Sequence, residues 1–279
     1  MRPSALALLA ATCATGCAPV LSTLAPAHVA PKGHVQATLG TDVSLPAGTI
    51  HSLVDAGIEA ADAAGSRELS ESERRTLFEA GAALALNPPS ATPHLGVGYT
   101  ALDRWELNLR YSGSALRLGT RYQLLQSDKH GVDLAVGAGV GRYVLGFPVG
   151  SFLDVVELED FTRWQIDLPI QVGKAGTWYR VWGGPRLMWT TFGTRLVMNL
   201  PAFTGYPGER EIASFSGNGL YVGGQAGAAF GYKHVFFGFE LTLVELFASG
   251  ELDVLEEPTA SVDLDSFIVY PSLGLMVEF

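Results

Sequence analysis

The side chains best suited to chemistry in this 279-residue sequence are its six histidines and its acidic residues, because an imidazole beside a carboxylate can act as a general base. Two histidines, His51 and His94, lie outside the predicted inner turns and the N-terminal region. Neither a Ser-His-Asp order nor a His-Glu-x-x-His metal motif occurs around them. We therefore predict no enzyme activity, no cofactor and no metal, with a hydrolase as the alternative.

A basic residue and a short apolar run begin the chain, which is the layout of a secretory signal peptide, predicted here as residues 1–16. The residues Ala14-Thr15-Gly16-Cys17 resemble a bacterial lipobox. This resemblance implies that the Cys17 thiol receives a diacylglycerol and that residues 17–33 form a lipid-anchored tether between the lipid and the fold. Ordinary cleavage after Ala27 is the alternative.

The composition excludes several classes of protein. Apolar residues make up 48% of the chain and charged residues only 16%, against roughly 25% charged residues in soluble globular proteins. Little charge is therefore available to cover a water-facing surface, yet no apolar run approaches the ~18 residues of a membrane-spanning helix. The net charge of −10, from 18 basic and 28 acidic residues, argues against nucleic acid as a partner.

From residue 34 onward, apolar and polar side chains alternate with a period of two, which is typical of β-strands. The clearest segment places Trp164 and Ile166 on one face and Gln165 and Asp167 on the other. The alternation predicts ten strands, over residues 34–44, 94–100, 104–113, 115–125, 131–145, 160–173, 176–192, 216–231, 235–250 and 264–279.

The two faces of these strands differ in chemistry. One face is apolar, and the other carries mainly Gly, Ser, Thr and Gln with some Arg and Asp, which suits an enclosed wet interior better than bulk water. Short connections alternate with long ones around 146–159, 193–215 and 251–263. An even strand number with this asymmetry is typical of bacterial membrane barrels. A soluble β-sandwich, which would also alternate, is the alternative.

The last segment ends in the pattern Leu273-x-Leu275-x-Val277-x-Phe279. Together with the export signal and the ten segments, this ending resembles that of a Gram-negative outer-membrane β-barrel protein. The resemblance implies an all-β fold, a transmembrane antiparallel up-and-down β-barrel over residues 34–279, in the cell outer membrane. It also implies that Phe279 is an assembly signal read by the barrel-assembly machinery. It carries over no catalytic motif.

Between the first and second segments the apolar spacing becomes helical. Residues 70–73 read Ser-Glu-Ser-Glu, a helix-capping pattern, and Asn87-Pro88-Pro89 stops the second helix. These features predict a helical hairpin inserted over residues 48–87. Such a hairpin could cover the outer mouth of the barrel, descend into it as a plug, bind a partner or pack on the rim.

Charged side chains on the inward face balance one another. Planar guanidinium groups pair bidentately with carboxylates, and an unpaired charge is costly in a confined space. We therefore predict an Arg–carboxylate network that closes the lumen, with the selectivity lining of a narrow passive channel for small solutes as the alternative. The predicted inward set is Asp42, Glu106, Asp133, Asp167, Glu240 and Glu278 with Arg110, Arg117, Arg121, Arg163, Arg180 and Arg186.

Acidic residues cluster in the long outer connections, at 154–160 and 251–265. Bound divalent cations there would bridge to lipopolysaccharide phosphates, but the clusters lack the alternating ligands and the glycine of a calcium loop. We therefore predict solvated loops. The predicted function is a structural or surface-interaction role in the cell envelope, with outer-membrane lipid and lipopolysaccharide as partners.

Overall fold

The computed structural model describes residues 18–63, 71–113, 115–144, 151–152, 156–199, 210–254 and 260–279. The predicted signal peptide and Cys17 lie outside these residues. The elements are β1 Val35–Pro46, α1 Ala47–Ala63, α2 Glu71–Leu86, β2 Ser90–Leu102, β3 Trp105–Ser112, β4 Ala115–Leu125, α3 Ser127–His130, β5 Asp133–Tyr143, β6 Ser151–Phe152, β7 Val156–Ala175, β8 Tyr179–Asn199, β9 Arg210–Tyr232, β10 Val235–Val254, β11 Ala260–Asp263 and β12 Ser266–Glu278.

Ten of these strands form a closed antiparallel barrel in which each strand pairs with its neighbours along the chain. The first and last barrel strands, β1 and β12, also pair, with Leu39 opposite Leu275, and this pairing closes the cylinder. The short strands β6 and β11 extend β7 and β10 in the long connections. Each of the ten alternating segments corresponds to one barrel strand, so the predicted all-β, up-and-down barrel is confirmed.

The two ends of the barrel differ. One end carries the short connections and the C-terminus, where the Val35 amide donates to the Phe279 carbonyl over 2.9 Å. Lys129 and Lys233 lie in connections at this end, which is the predicted inner end. The other end carries the two long helices and the long connections, and we refer to it as the outer end.

Four neighbouring strands are much longer than the others. Strands β7 to β10 have 20 to 23 residues, whereas β3 to β5 have 8 to 11. Because about 9–11 residues suffice for a strand to cross a bilayer, the long strands continue beyond it. Their outer ends form a one-sided wall, here called the outer wall: residues 156–163, 191–199, 210–218 and 249–254.

The outward face of the barrel shows where the bilayer lies. On β10 it is apolar from Val235 to Phe247 except at Glu245, and it becomes polar from Ser249 onward. The outward face of the neighbouring strand β9 changes from apolar to polar at the same height, since Leu220 is opposite Phe247 and Asn218 is opposite Ser249. On β9 the apolar face spans ten residue steps from Phe230 to Leu220, or about 33 Å along the strand at ~3.3 Å per residue. At a strand tilt of ~40° this height is about 25 Å, that of the apolar band of outer-membrane barrels.

Aromatic side chains mark both edges of this band. At the inner edge Trp178 is 60% exposed and stacks on Phe230 with ring centroids 6.1 Å apart. At the outer edge Trp164 and Trp189 face outward and are exposed. Aromatic girdles at the two interfaces are typical of membrane barrels. Among the described residues, no helix is long and apolar enough to span a bilayer.

Replacing Leu243 with Arg is expected to destabilise the barrel in lipid vesicles, lowering its free energy of unfolding by about 2–4 kcal/mol. This is the effect of Arg near the bilayer midplane of a barrel. Leu243 is 40% exposed on the outward face of β10, between Phe239 and Phe247. Ser249→Arg, on the same strand and face but above the apolar band, is the matched control and is expected to change little. Equal effects of the two substitutions in urea titrations would contradict this position of the bilayer.

The helical insertion after β1 forms two helices, close to the predicted bounds of 48–87. Ser70, part of the predicted cap, lies outside the described residues. Helix α2 ends at Leu86, just before Asn87 and two prolines, because proline cannot continue the main-chain hydrogen bonds of a helix.

Helix α2 is buried on several sides in its second half. Leu77, Phe78 and the run Ala82–Leu86 pack against inward-facing side chains of β8, β9, β10 and β12, including Phe192, Phe215 and Leu246. A helix that is apolar all round is a buried helix. Of the four positions left open for the hairpin, the structure shows α2 inside the outer mouth, as a plug.

Candidate functional site: the lumen and the segment that fills it

An extended stretch of chain before β1 lies inside the barrel. This stretch, residues 18–31, is here called the lumen segment. At its inner end the His28 imidazole Nε2 is 3.1 Å from a Glu278 carboxylate oxygen. At its outer end the Tyr143 hydroxyl donates to the Ala18 carbonyl over 2.9 Å. The segment therefore threads the lumen from one end toward the other. It is extended, as expected of a tether, but it lies within the fold rather than between the fold and a lipid.

Arginine and glutamine side chains of the wall hold the carbonyl groups of the lumen segment. Arg110 donates to the Thr23 carbonyl over 2.8 Å, and Arg121 donates to the Pro26 carbonyl over 2.6 Å. Gln171 donates to the Ala25 carbonyl over 2.8 Å, and Arg186 to the Val20 carbonyl over 3.4 Å. Main-chain carbonyls that form no secondary structure are thus satisfied by side chains, as buried backbone requires.

The Glu240 carboxylate binds the hydrogen-bond donors in the middle of the lumen segment. One oxygen of Glu240 accepts from the Ser22 hydroxyl over 2.6 Å and from the amides of Thr23 and Leu24 over 3.0 and 3.3 Å. The other oxygen accepts from the Trp182 indole N–H over 2.7 Å. Glu240 was predicted for the Arg–carboxylate network. The structure shows it bound to the lumen segment and Trp182.

Apolar contacts fix the side chains of the lumen segment. Leu24 is fully buried in a cluster with Ala27, Trp182, Phe236 and Met276. Room for the Trp182 indole comes from Gly227, where a Cβ atom would lie about 2.3 Å from the ring. The segment is therefore packed against the wall as a core element is.

Below and around the segment, the wall carries buried ion pairs. Arg110 binds both Asp42 carboxylate oxygens at 2.8 Å. Arg121 binds both Glu106 oxygens, at 3.0 and 2.6 Å. These bidentate pairs are the geometry in which guanidinium and carboxylate groups interact most strongly.

The largest charged cluster is centred on Asp167. Arg117 donates to both of its oxygens at 2.8 Å, and Arg186 donates to one of them at 2.9 Å. All three side chains are buried. Gly139 of β5 leaves the space for this cluster, because a Cβ atom there would lie 2.4 Å from both Arg117 and Asp167.

Other members of the predicted set have different partners. Asp133 accepts from the Gln123 side chain and the Ser127 amide, both at 2.8 Å, and thereby fixes the inner turn at α3. Arg163 donates to the carbonyls of Ala85 and Leu86 at the end of α2, where a cation also favours the helix dipole.

At the inner end, Arg180 lies 3.0 Å from the Glu278 carboxylate, which also contacts His28. The structure thus brings most of the predicted charges together in pairs. The lumen segment and the end of α2 bind other wall charges. Sequence reasoning missed the segment itself, together with Gln171 and Gln123, which bind its main chain.

The two candidate catalytic histidines have different surroundings. His51 is exposed on α1, with its Nε2 3.4 Å from the Asp55 carboxylate one helical turn away. His94 was expected on the outer side, but it is fully buried inside the barrel with its Nδ1 3.0 Å from Asp42. Strand β2 begins at Ser90 rather than at residue 94, so His94 lies within the strand and points inward. Among the described residues, no group of three or more metal-ligating side chains is arranged around a common point.

Comparison with known proteins finds similarity of structure only. No protein-family model matches the chain, and no curated protein has significant sequence similarity to it. Similar solved structures include OprG from Pseudomonas aeruginosa, with 11% identity and a TM-score of 0.38 over 91% of this chain and 99% of that chain. Ail, the attachment invasion locus protein of Yersinia pestis, has 10% identity and a TM-score of 0.30 over 89% and 99% of the two chains. Neisserial surface protein A has 10% identity and a TM-score of 0.28 over 88% and 96%.

The location of this protein follows from its own barrel. In lipid every main-chain polar group must be satisfied internally, which for strands requires a closed barrel. This chain has such a barrel with an even strand number, an outward apolar band about 25 Å high and aromatic edges. The chain is a β-barrel protein of the Gram-negative outer membrane, as predicted.

Proposed function

We propose that the protein is a closed, non-conducting outer-membrane barrel with a structural or surface-interaction role. The observation that carries this proposal is the lumen segment, which crosses the barrel and is held by wall side chains along its length, from Tyr143 at the outer end to Glu278 at the inner end.

A second element supports closure. Helix α2 fills the outer mouth with apolar side chains, so two elements of the chain block the path in series. Beside the lumen segment lies a partly open cavity of about 60 Å³, lined by charged residues such as Glu106 and Arg110 and by apolar residues such as Leu24 and Phe236. A cavity of this size holds a few water molecules.

Planar-bilayer recordings test closure. Purified full-length protein, shown to be folded by its heat-dependent gel mobility, is expected to insert without producing stable conductance steps. A 16-stranded porin, which leaves an open aqueous channel, serves as the positive control. Stable, reproducible steps from the intact protein would reject the closed lumen and favour the alternative of a narrow channel.

The outer wall supports the proposed surface role. Its outward face carries polar side chains such as Thr191, Asn218 and Ser249 at matched heights. Just at the boundary with the apolar band, the exposed Arg142 lies over the Trp164 ring at 4.9 Å, where it can meet a lipopolysaccharide phosphate. We propose outer-membrane lipid and lipopolysaccharide as partners of this rim. Arg142→Ala is expected to weaken lipopolysaccharide retention during purification, and unchanged retention would argue against the contact.

The C-terminal residue supports the proposed assembly signal. Phe279 is 65% exposed at the inner edge, and its ring stacks on His234 with centroids 6.1 Å apart. Since it lies at the end of the closing strand and faces outward, it is available to the barrel-assembly machinery. Deleting Phe279 is expected to reduce the amount of assembled barrel in cells while leaving refolding in detergent unchanged. Normal assembly of the deletion variant would contradict this role.

We also propose lipidation at Cys17. The next residue, Ala18, lies at the outer end of the lumen segment, where its carbonyl accepts from the Tyr143 hydroxyl. The contacts of residues 18–27 within the lumen favour their retention over cleavage after Ala27. Cys17→Ala is expected to abolish palmitate labelling. Undiminished labelling, or a mature N-terminus at His28, would overturn the proposal.

A further inference from the structure

The geometry of the lumen points to a binding site for an extended polypeptide, of which residues 18–31 are the resident ligand. This inference rests on the proposed closed lumen and adds to it the chemical class of what the lumen binds. In this view the wall is a receptor, and its own N-terminal segment occupies it.

The first step is that the wall binds the main chain of the segment at many points, in addition to the side chains of Ser22, Thr23 and His28. Along the lumen segment, carbonyls of Ala18, Val20, Thr23, Ala25 and Pro26 accept from wall side chains. The amides of Thr23, Leu24 and Val29 donate to wall side chains. Any polypeptide has such main-chain groups, but Leu24 has a φ of +40°, so the contacts select a backbone with one left-handed residue at this position.

The second step is that the wall supplies these contacts with charged groups already fixed by other partners. Arg110 reaches the segment while it is held by Asp42, and Arg121 while it is held by Glu106. Arg186 reaches it while bound to Asp167. Donors anchored in this way are preorganised, so binding the segment does not require them to be ordered at that moment.

The third step defines which peptides fit. Leu24 fills the pocket formed by Trp182, Phe236 and Met276. Ala25 is only half-buried, and Pro26 offers no amide that would need an acceptor. The site therefore suits a proline-containing segment of small residues with several branched apolar side chains, here Val20, Leu21, Leu24 and Val29, all of them buried.

The fourth step is that the segment is attached to the barrel through one exposed turn. Residues 31–33 are exposed, and the turn is closed by the His34 amide donating to the Pro31 carbonyl over 3.1 Å. Gly33 has a φ of +86°, which glycine adopts readily. Cutting the chain at this turn would leave the segment held only by the non-covalent contacts described above.

The test uses the full chain with a site for a sequence-specific protease inserted between Lys32 and Gly33. The protein is folded, cleaved and incubated with a fluorescent synthetic peptide of residues 18–31. We expect the barrel to keep its folded gel mobility and the labelled peptide to exchange into it saturably, with release by excess unlabelled peptide.

Two further peptides test how the segment is recognised. Methylation of the Thr23 amide nitrogen removes its hydrogen bond to Glu240 and is expected to weaken binding at least about tenfold. Ala25→Ser, at the half-buried position, is the matched control and is expected to bind within about twofold of the parent peptide. Equal binding of the N-methylated and parent peptides would overturn main-chain recognition.

Two outcomes would overturn the inference as a whole. Either the cleaved segment fails to exchange over days in excess peptide, or the barrel unfolds when the segment leaves, and both would make the segment an integral part of the fold. Conductance recordings of the uncleaved protein, made in parallel, distinguish failure of the closed-lumen proposal from failure of the peptide-site proposal. Conductance from the uncleaved protein rejects the closed lumen, whereas a silent protein without exchange rejects only the peptide site.

Discussion

Replacing Asp167 with Ala is expected to lower the free energy of unfolding by about 3–5 kcal/mol, the cost of breaking a buried ion pair by removing one partner. Asp167 accepts two hydrogen bonds from Arg117 and one from Arg186, and all three side chains are buried. Its loss leaves two guanidinium groups in the lumen without this carboxylate. Urea titration of the protein in lipid vesicles, followed by tryptophan fluorescence, measures the change.

An exposed acidic residue on the same strand provides the control. Asp160 lies 3.0 Å from Arg195, but the side chains are 73% and 51% exposed. Exposed ion pairs contribute only about 0–1 kcal/mol, and Asn, like Asp, tolerates the φ of +52° at this position, so Asp160→Asn is expected to change stability little. A cost for Asp167→Ala as small as that of Asp160→Asn would show that the charges inside the lumen are solvated rather than paired.

Replacing Glu240 with Ala is expected to have an effect of similar size and to loosen the lumen segment. The substitution removes the acceptor of the Thr23 amide and of the Trp182 indole N–H. The Leu24 amide loses Glu240 but keeps the Ser22 hydroxyl, at 3.1 Å, as an acceptor. A buried donor left without a partner costs about 1–3 kcal/mol, so a total loss of about 3–5 kcal/mol is expected. Faster hydrogen exchange of the Thr23 amide is the readout for the segment, and urea titration measures the loss of stability.

The substitution Glu240→Gln distinguishes the role of the oxygen that binds the lumen segment from that of the oxygen that binds Trp182. Its amide oxygen can still accept from Ser22, Thr23 and Leu24, while its NH2 group would face the Trp182 N–H, which is also a donor. The expected loss is therefore smaller than for Ala, and the Thr23 amide is expected to remain protected. If both substitutions left exchange of the Thr23 amide unchanged, Glu240 would not be what holds the segment.

The sequence was sufficient to predict the barrel because lipid imposes a sharp contrast between the two faces of each strand. That contrast ends at the edge of the apolar band, and the errors in strand length begin there. Strand β8 continues to Asn199 rather than residue 192, and β9 begins at Arg210 rather than residue 216. Above the bilayer both faces meet water or polar groups, so outward residues such as Arg195 on β8 and Ser214 on β9 give no alternation.

The contents of the lumen were harder to predict. Residues 18–31 show neither helical nor strand periodicity, since they form no regular structure and are held by side chains far away in sequence. One signal was available: a guanidinium group has five N–H donors, so the inward arginines carry more donors than the predicted carboxylates can accept. The excess implied a source of carbonyl groups in the lumen, which the Thr23 and Pro26 carbonyls supply. For α2, the run of alanine and leucine over residues 82–86 indicated a helix without a water-facing side.

The most direct measurement of the central claim is the proximity of Leu24 to the wall. Nuclear Overhauser effects between the Leu24 methyl groups and the rings of Trp182 and Phe236, in detergent micelles with selective methyl labelling, report contacts inside the lumen. The contacts of Leu24 with both rings predict strong cross-peaks, together with a slowly exchanging Trp182 indole proton. Sharp, random-coil Leu24 resonances without these cross-peaks would show that the segment lies outside the barrel and does not fill the lumen.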